Sequence, residues 1–168
     1  MDWTDVLKKC TALPRIWNGK PAQVQLHPPC PHSLLEAKAI PDEYRSFLAV
    51  SNGGFFYPWH DHVGALKLFS VAELDTAQDH AYMLDEDGTA GRRYYIIGEM
   101  SGFGNWVGMA EDGSIWFLDH EYGPEEWYEG KGSHYAAPSL KQFLLKFCGE
   151  EGRWWFLPGQ TWEWFLPD

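Results

Sequence analysis

The segment His60-Asp61-His62 has the residue types and the spacing of a metal-binding pair. In an extended segment alternate side chains point to the same side, so both imidazoles could face one ion. A third ligand could come from His80 or His120. Two histidines in a loop are more often surface or hydrogen-bonded residues, so we predict no bound metal and no other cofactor. A metal-dependent enzyme that uses His60 and His62 is kept as the third of three hypotheses.

Two other motifs match ligand-binding loops only in part. Gly102-Phe103-Gly104 lies between two predicted strands and lacks the third glycine and the following helix of a dinucleotide fingerprint, so we predict a turn. Asp85-Glu86-Asp87-Gly88 begins like a calcium loop, but its glycine comes too early and position twelve holds no glutamate. Nothing marks one pair of carboxylates as acid and base, or one cysteine as a nucleophile. We therefore predict that the protein is not an enzyme.

The three cysteines, Cys10, Cys30 and Cys148, are odd in number and widely separated. This spacing is typical neither of a disulfide framework nor of a CxxC metal site, and it favours a reducing compartment. The first nine residues mix acids and bases where a signal peptide would need an apolar stretch, so we expect no signal peptide there. No apolar run reaches the roughly 18 residues needed to span a bilayer. We expect a cytoplasmic protein without membrane association.

The composition predicts one globular domain. The chain has 168 residues, of which 45% are hydrophobic and 22% charged. A chain of this length buries enough surface to fold without a disulfide or a metal. Aromatic residues make up 17% and include ten tryptophans, which are frequent both in cores and in protein interfaces.

Negative charge is concentrated in the middle of the chain. The formal charge is −11, and residues 61–130 contain fifteen acidic but only three basic residues. A field of this sign repels nucleic acid and anionic lipid, so we predict that the protein binds neither. The same field would attract a basic protein partner and accelerate its association. The alternative is a solvated surface that serves only to keep the protein in solution.

Periodicity and capping residues predict the helices. Asp2 can cap a first helix, whose apolar residues have the spacing of one face: Trp3, Val6, Leu7 and Cys10. Ser33 and Glu36 predict a capping box for a short helix over 34–39. Pro41 begins the next helix, which Asn52-Gly53-Gly54 should end. Ser70 and Glu73 predict a second capping box, for a helix that extends to about Met83. A last helix begins at Pro138 and Ser139 and buries Leu140, Phe143, Leu144 and Phe147.

Strands are predicted over 65–69, 94–99, 105–110 and 114–119, with a shorter one at 23–26. Asp112-Gly113 is a strong signal for a hairpin turn between two of them. Helices come first, strands follow and a helix comes last, which is an α+β order. We predict a single, largely antiparallel sheet packed with helices.

Motifs between Ser33 and Cys148 resemble the SUKH superfamily of Smi/Knr-type domains. The resemblance rests on a glutamate, a helix and a glycine stop in the family's order: Glu36, Ile40-Pro41-Asp42-Glu43-Tyr44-Arg45-Ser46-Phe47-Leu48 and Ser51-Asn52-Gly53-Gly54. It implies an α+β fold and binding rather than catalysis. Many bacterial members are immunity proteins that neutralise toxins, and fungal members regulate cell-wall assembly. No family catalytic residue exists to carry over.

The C-terminal residues repeat a short aromatic motif. Trp155-Phe156-Leu157-Pro158 recurs as Trp164-Phe165-Leu166-Pro167, and Pro158-Gly159 between them can form a hairpin turn. We therefore divide the chain into a SUKH-like domain, 1–149 with a recognisable core over 33–148, and a Trp-rich extension, 150–168. The extension could pack on its own domain, join two copies of the chain, or contact a partner.

The leading hypothesis is an immunity protein that blocks a basic, nuclease-like toxin by occluding its active site. The alternative is a regulatory scaffold, as among the fungal relatives. The residues expected in the interface are Trp59, Asp61, Asp85, Glu86, Asp87, Glu125 and Glu126.

Overall fold

The computed structural model describes residues 1–12, 15–17, 20–56, 66–83, 91–100 and 104–149. Their helices are α1 (Trp3–Thr11), α2 (His32–Glu36), α3 (Asp42–Leu48), α4 (Leu74–Ala81), α5 (Pro124–Tyr128) and α6 (Leu140–Gly149). Their strands are β1 (Arg15–Trp17), β2 (Lys20–Ala22), β3 (Gln25–Leu26), β4 (Gly54–Phe56), β5 (Leu66–Leu68), β6 (Tyr94–Met100), β7 (Asn105–Ala110), β8 (Ile115–Leu118) and β9 (Ser133–Ala137).

Strands β3 to β9 form one antiparallel sheet in which every strand pairs with its neighbours in the sequence. Strands β1 and β2 form a separate antiparallel pair. The predicted α+β class and the single antiparallel sheet are therefore confirmed. The predicted hairpin turn is present as well: Gly113 has a φ of 84°, a value that glycine adopts without strain.

The predicted apolar face of α1 is buried as expected. Asp2 accepts a hydrogen bond from the backbone of Asp5 and so caps the helix. Trp3 packs edge-on against Phe47 of α3, with 5.3 Å between the ring centroids. Glu43 of α3 caps α6 in turn, because its carboxylate accepts the backbone N–H groups of Leu140 and Lys141. The helices are thus joined to one another by packing and by a charged cap.

Side chains replace a missing strand along the first half of β6. Strand β5 pairs only with residues 98–100 of β6. Gln78 of α4 bonds both the N–H and the C=O of Ile96, and the Tyr82 hydroxyl bonds both groups of Tyr94. The Tyr44 hydroxyl donates to the carbonyl of Ile97, which lies at an irregularity in the pairing of β6 with β7. Buried backbone groups need such partners, so these residues complete the sheet.

Two local predictions are wrong in detail. The capping box at Ser33 and Glu36 does not form: α2 begins at His32, Pro31 precedes it without a side-chain cap, and Glu36 pairs with His32 at 3.1 Å. Helix α3 already ends at Leu48 rather than at the glycines. Position 53 requires glycine for a different reason, which is close packing: a Cβ there would lie 2.6 Å from the carbonyl oxygen of Leu68.

The second predicted capping box forms only in part. The Glu73 carboxylate accepts hydrogen bonds from the backbone and the hydroxyl of Ser70, but α4 begins only at Leu74. The first predicted strand shortens to Gln25–Leu26. Strands β1, β2, β4 and β9 and helix α5 were not predicted.

Candidate protein-binding surface

Most residues predicted to bind a partner lie outside the described residues. These are Trp59, Asp61, Asp85, Glu86 and Asp87, and the same holds for His60, His62, Phe103 and the extension 150–168. Among the described residues no group of three His, Cys, Asp or Glu side chains could hold a metal ion. His120 hydrogen-bonds the side chain of Asn105 at 2.7 Å.

Glu125 and Glu126 both lie in the first turn of α5 but differ in role. Glu126 accepts the backbone N–H of Gly123 at 3.0 Å and so helps to begin the helix. Glu125 is exposed to solvent. The negative charge of Glu125 is therefore available to a partner, whereas Glu126 stabilises the surface that carries it.

Helix α5 is fixed to the sheet by its two aromatic residues. Trp127 is buried, and its indole N–H donates to the carbonyl of Asp119 at 2.8 Å. Its ring packs edge-on against Tyr82, and its own carbonyl accepts the hydroxyl of Ser133. The five-residue helix gains a rigid position from these contacts, and its acidic first turn is held in place with it.

Both ends of the segment 84–90 are attached to α5. The Tyr128 hydroxyl donates to the carbonyl of Gly91, which follows the segment, and lies 3.4 Å from the Tyr82 hydroxyl, which precedes it. Tyr128 of α5 thus joins the described residues on either side of positions 84–90, which include Asp85, Glu86 and Asp87.

The segment that contains Trp59 and Asp61 is attached elsewhere. It connects β4 to β5, and two strands separate β5 from β8. At about 4.8 Å between neighbouring strands, its attachment points are roughly 14 Å from β8. The described residues that flank 84–90 thus contact α5, whereas those that flank 57–65 belong to another part of the sheet.

A row of aromatic rings crosses the sheet next to α5. Tyr135 of β9 lies opposite Trp116 of β8, with 5.6 Å between the ring centroids. Trp116 packs on Tyr94 at 5.7 Å, and Tyr94 packs on Tyr128 at 5.9 Å. We call these four residues the aromatic row. Tyr135 is 52% exposed, Trp116 and Tyr128 are half-buried, and Tyr94 is buried beneath them.

A short hydrogen-bond relay orients the tryptophan of the row. The Trp116 indole N–H donates to the Ser114 hydroxyl at 2.9 Å, and that hydroxyl donates to the carboxylate of Asp112. Hydrogen bonds from the hydroxyl and backbone of Ser114 lower the pKa of Asp112 below its usual value. The hydrogen bond from the indole to Ser114 favours one orientation of the Trp116 ring.

Charged residues surround the aromatic row. Arg93 lies over the ring of Tyr128, 4.6 Å from its centroid, while Arg92 pairs with Asp79 at 3.5 Å. Glu111 and Asp112 are exposed in the turn between β7 and β8. An open groove of about 880 Å³ adjoins the row, and Arg93, Tyr94, Trp116 and Pro41 are among its lining residues.

The sequence did not point to the aromatic row. Trp116 was recognised only as a strand residue, and Tyr135 lies on a strand that was not predicted. Their contact depends on the pairing of β8 with β9, which contains an irregularity between Ile115 and Trp116. The one available signal was the number of aromatic residues, which does not say which of them share a face.

The sequence profile of the SMI1 / KNR4 family (SUKH-1) matches residues 37–146. The chain belongs to this family. The SUKH-1 match includes Pro41 and Tyr44 of the motif, strands β4 to β9 and the first seven residues of α6, and it confirms the resemblance seen in the sequence. No curated protein sequence matches the chain significantly.

Membership of the SUKH-1 family indicates a role in binding other proteins. Membership is compatible with the role of an immunity protein and with that of a regulator, and members of the family are in general not enzymes. The structure gives Tyr44 of the family motif a purely structural task, since its hydroxyl bonds the carbonyls of Phe69 and Ile97. Within the described part of the chain, no helix has both the length and the apolar character to cross a membrane.

Proposed function

We propose that this SUKH-1 protein is an immunity protein, which binds a basic, nuclease-like toxin and neutralises it without catalysis. The observation that carries the proposal is the partly exposed aromatic row beside an acidic helix turn. The toxin would contact the row and the acidic residues next to it. The proposal places the complex in the cytoplasm and involves neither nucleic acid, nor a membrane, nor a cofactor.

The composition of the aromatic row supports a protein interface. Tryptophan, tyrosine and arginine are the residues that most often contribute strongly to protein–protein affinity. Trp116, Tyr128, Tyr135 and Arg93 supply all three types in one continuous set of contacts. Fixed rings lose little conformational entropy on binding, and here packing and the relay from Trp116 to Asp112 already fix them.

The acidic groups support a basic partner. Glu111 and Asp112 are exposed at one end of β7 and β8, and Glu125 is exposed on α5. In this proposal Asp85, Glu86 and Asp87, which come between the described residues Tyr82 and Gly91, add further negative charge to the interface. A nuclease binds the phosphates of its substrate with basic residues, so carboxylates can occupy the same groove. Occlusion of the active site would follow from an interface of ordinary size, roughly 1,600 Å² in total. Trp59, Asp61 and Glu126 remain in the proposed interface as its less central residues.

Residues 1–149 form one domain in this proposal, and 150–168 are an extension that packs on the domain or on a partner. A contact between two such extensions would produce a homodimer. Light scattering of the full-length chain and of a chain ending at residue 149 distinguishes these cases. A dimer that becomes a monomer on truncation places the contact in the extension.

The test of the immunity function is co-expression with the toxin encoded beside the gene for this protein. We expect the host to survive, and we expect the two proteins to co-purify in a fixed ratio. A regulatory scaffold of the fungal type, the second candidate, would instead rescue no toxin and would co-purify with signalling or cell-wall proteins. Stoichiometric metal in the purified protein would favour the third candidate, an enzyme that uses His60 and His62.

A further inference from the structure

Helices α1 and α6 bring two cysteines together. The ammonium group of Lys141 lies 5.2 Å from the ring centroid of Trp3, near the start of both helices. Seven residues later on each helix come Cys10 and Cys148, and the Cys10 sulfur lies 3.7 Å from the carbonyl oxygen of Leu144. Seven residues are about two helical turns, so each pair lies on one face. The two helices therefore run in the same direction and in register, with both cysteines on the facing sides.

The two thiols interact with each other inside the protein. Cys10 is fully buried and Cys148 is 3% exposed. A hydrogen bond from the thiol of Cys148 lowers the pKa of Cys10, although burial by itself would raise it. Cys10 in turn donates to the carbonyl of Leu144. A thiol whose partner stabilises its anion is the more reactive one in exchange reactions.

We propose that Cys10 and Cys148 form an oxidant-responsive dithiol site that reacts with small-molecule disulfides of the glutathione type. In the reducing compartment expected from the sequence, both residues stay thiols. On oxidation they form a disulfide between the first helix and the last helix of the domain. The site is independent of the proposed toxin binding.

The reaction is a two-step thiol–disulfide exchange. One cysteine, as thiolate, attacks a sulfur of the small disulfide, forms a mixed disulfide with the protein and releases one small thiol. The second cysteine attacks the protein sulfur of the mixed disulfide, forms the Cys10–Cys148 bond and releases the second small thiol. The two thiol protons of the protein end on the two released thiols, and the small disulfide is the species reduced.

Access to the buried site comes through the end of α6. The helix ends at Gly149, one residue beyond Cys148, and the last turn of a helix opens locally far more often than the whole domain unfolds. Oxidation therefore proceeds without global unfolding. The resulting bond closes a loop from residue 10 to residue 148, which encloses the whole SUKH-1 match. A loop of this length restricts the unfolded chain strongly, so oxidation stabilises the domain.

Cys30 provides an internal comparison. Its sulfur contacts the carbonyl of Pro31, and burial raises its pKa. It lies just before α2, and its backbone bonds Leu48 of α3 rather than α1 or α6. The proposed site consists of the cysteines on α1 and α6, so Cys30 should not take part in the disulfide.

The test is incubation of the full-length protein with oxidised glutathione, followed by intact mass and peptide mapping. We expect a mass loss of two hydrogen atoms, a peptide pair linked through Cys10 and Cys148, and alkylation of Cys30 alone. The thermal midpoint should rise on the order of 10 °C and return on reduction. Cys30→Ala should behave like the parent protein, while Cys148→Ala and Cys10→Ala should form no internal disulfide.

Two results would overturn the proposal. One is stable glutathionylation of the parent protein without an internal bond, and the other is an internal bond that includes Cys30. Circular dichroism of each variant shows whether it is folded. If Cys10→Ala does not fold, the peptide map of the parent protein and the Cys148→Ala variant decide the question.

Discussion

The side-chain amide of Gln78 makes both backbone hydrogen bonds of Ile96, as a neighbouring strand would. Its N–H group lies 2.7 Å from the Ile96 carbonyl oxygen, and its oxygen lies 2.9 Å from the Ile96 nitrogen. The amide can do this because α4 packs along the part of β6 that β5 does not reach. Together with Tyr82 and Tyr44, Gln78 therefore completes the sheet that carries the aromatic row.

Replacement of Gln78 by leucine should destabilise the domain strongly. The substitution leaves two buried backbone groups of Ile96 without partners, and we expect a loss of about 2–4 kcal/mol in the free energy of unfolding. Urea unfolding followed by circular dichroism measures it. Gln142→Leu is the matched control, since Gln142 is exposed on α6 and should change stability by less than about 0.5 kcal/mol. Equal losses in the two variants would contradict the role of Gln78.

Replacement of Glu43 by alanine should weaken the attachment of α6. Its carboxylate accepts the backbone N–H groups of Leu140 and Lys141 at 3.0 and 3.2 Å. Loss of a charged cap at the start of a helix costs about 1–2 kcal/mol. Glu36→Ala removes an exposed carboxylate that pairs with the exposed His32, and its effect should be close to zero. Urea unfolding of both variants compares them, and a smaller effect at Glu43 than at Glu36 would refute the capping role.

The hydrogen bonds of Glu73 with Lys67 and Ser70 predict that the folded domain loses stability in acid. Burial alone would raise the pKa of Glu73, but hydrogen bonds from Lys67 and Ser70 outweigh it and lower the pKa below its usual value. The folded protein thus holds the proton less tightly than the unfolded chain does. The contribution of Glu73 is complete above the unfolded pKa of about 4.3 and disappears as the pH falls through the folded value.

Urea unfolding of the parent protein and Glu73→Gln at several pH values measures this contribution. The difference between the two proteins should be constant above about pH 5.5 and should shrink below about pH 4. A difference that stays the same down to pH 3 would mean that the charge of Glu73 is unimportant.

Asp85, Glu86 and Asp87 should act mainly on the rate of association with the toxin. Their substitution by alanine removes three negative charges, so we expect the association rate constant to fall about tenfold at low salt. The dissociation rate should change little. Stopped-flow fluorescence of the ten-tryptophan protein provides the signal. An association rate that depends neither on these residues nor on salt would contradict electrostatic steering.

The sequence predicted correctly those elements whose form depends on residues close together in the chain. The face of α1, the hairpin turn at Asp112-Gly113 and the buried face of α6 are all determined by spacing within one element, and all are observed. Helix α5 was missed because it is only five residues long and carries a single buried tryptophan on a polar sequence. Strand β4 was missed because it begins with the glycine that was expected to end α3.

The aromatic row could not be predicted because it depends on which strands pair and in which register. Eighteen residues, which include α5, lie between Trp116 and Tyr135, and an irregularity in the β8–β9 pairing brings the two opposite each other. A shift of one residue would turn Tyr135 to the other face of the sheet. Glu126 shows the opposite case: its negative charge suggested a partner contact, but its carboxylate accepts the backbone N–H of Gly123.

Calorimetric titration of the protein with an inactive variant of its toxin tests the central proposal most directly. We expect a one-to-one complex, in which Trp116→Ala weakens the affinity about 30-fold or more and Tyr135→Ala weakens it measurably. Leu34→Ala is the control, because Leu34 is a 50% exposed apolar residue on α2, outside the aromatic row. Absence of binding at low salt, or a folded Trp116→Ala variant that binds as tightly as Leu34→Ala, would contradict it.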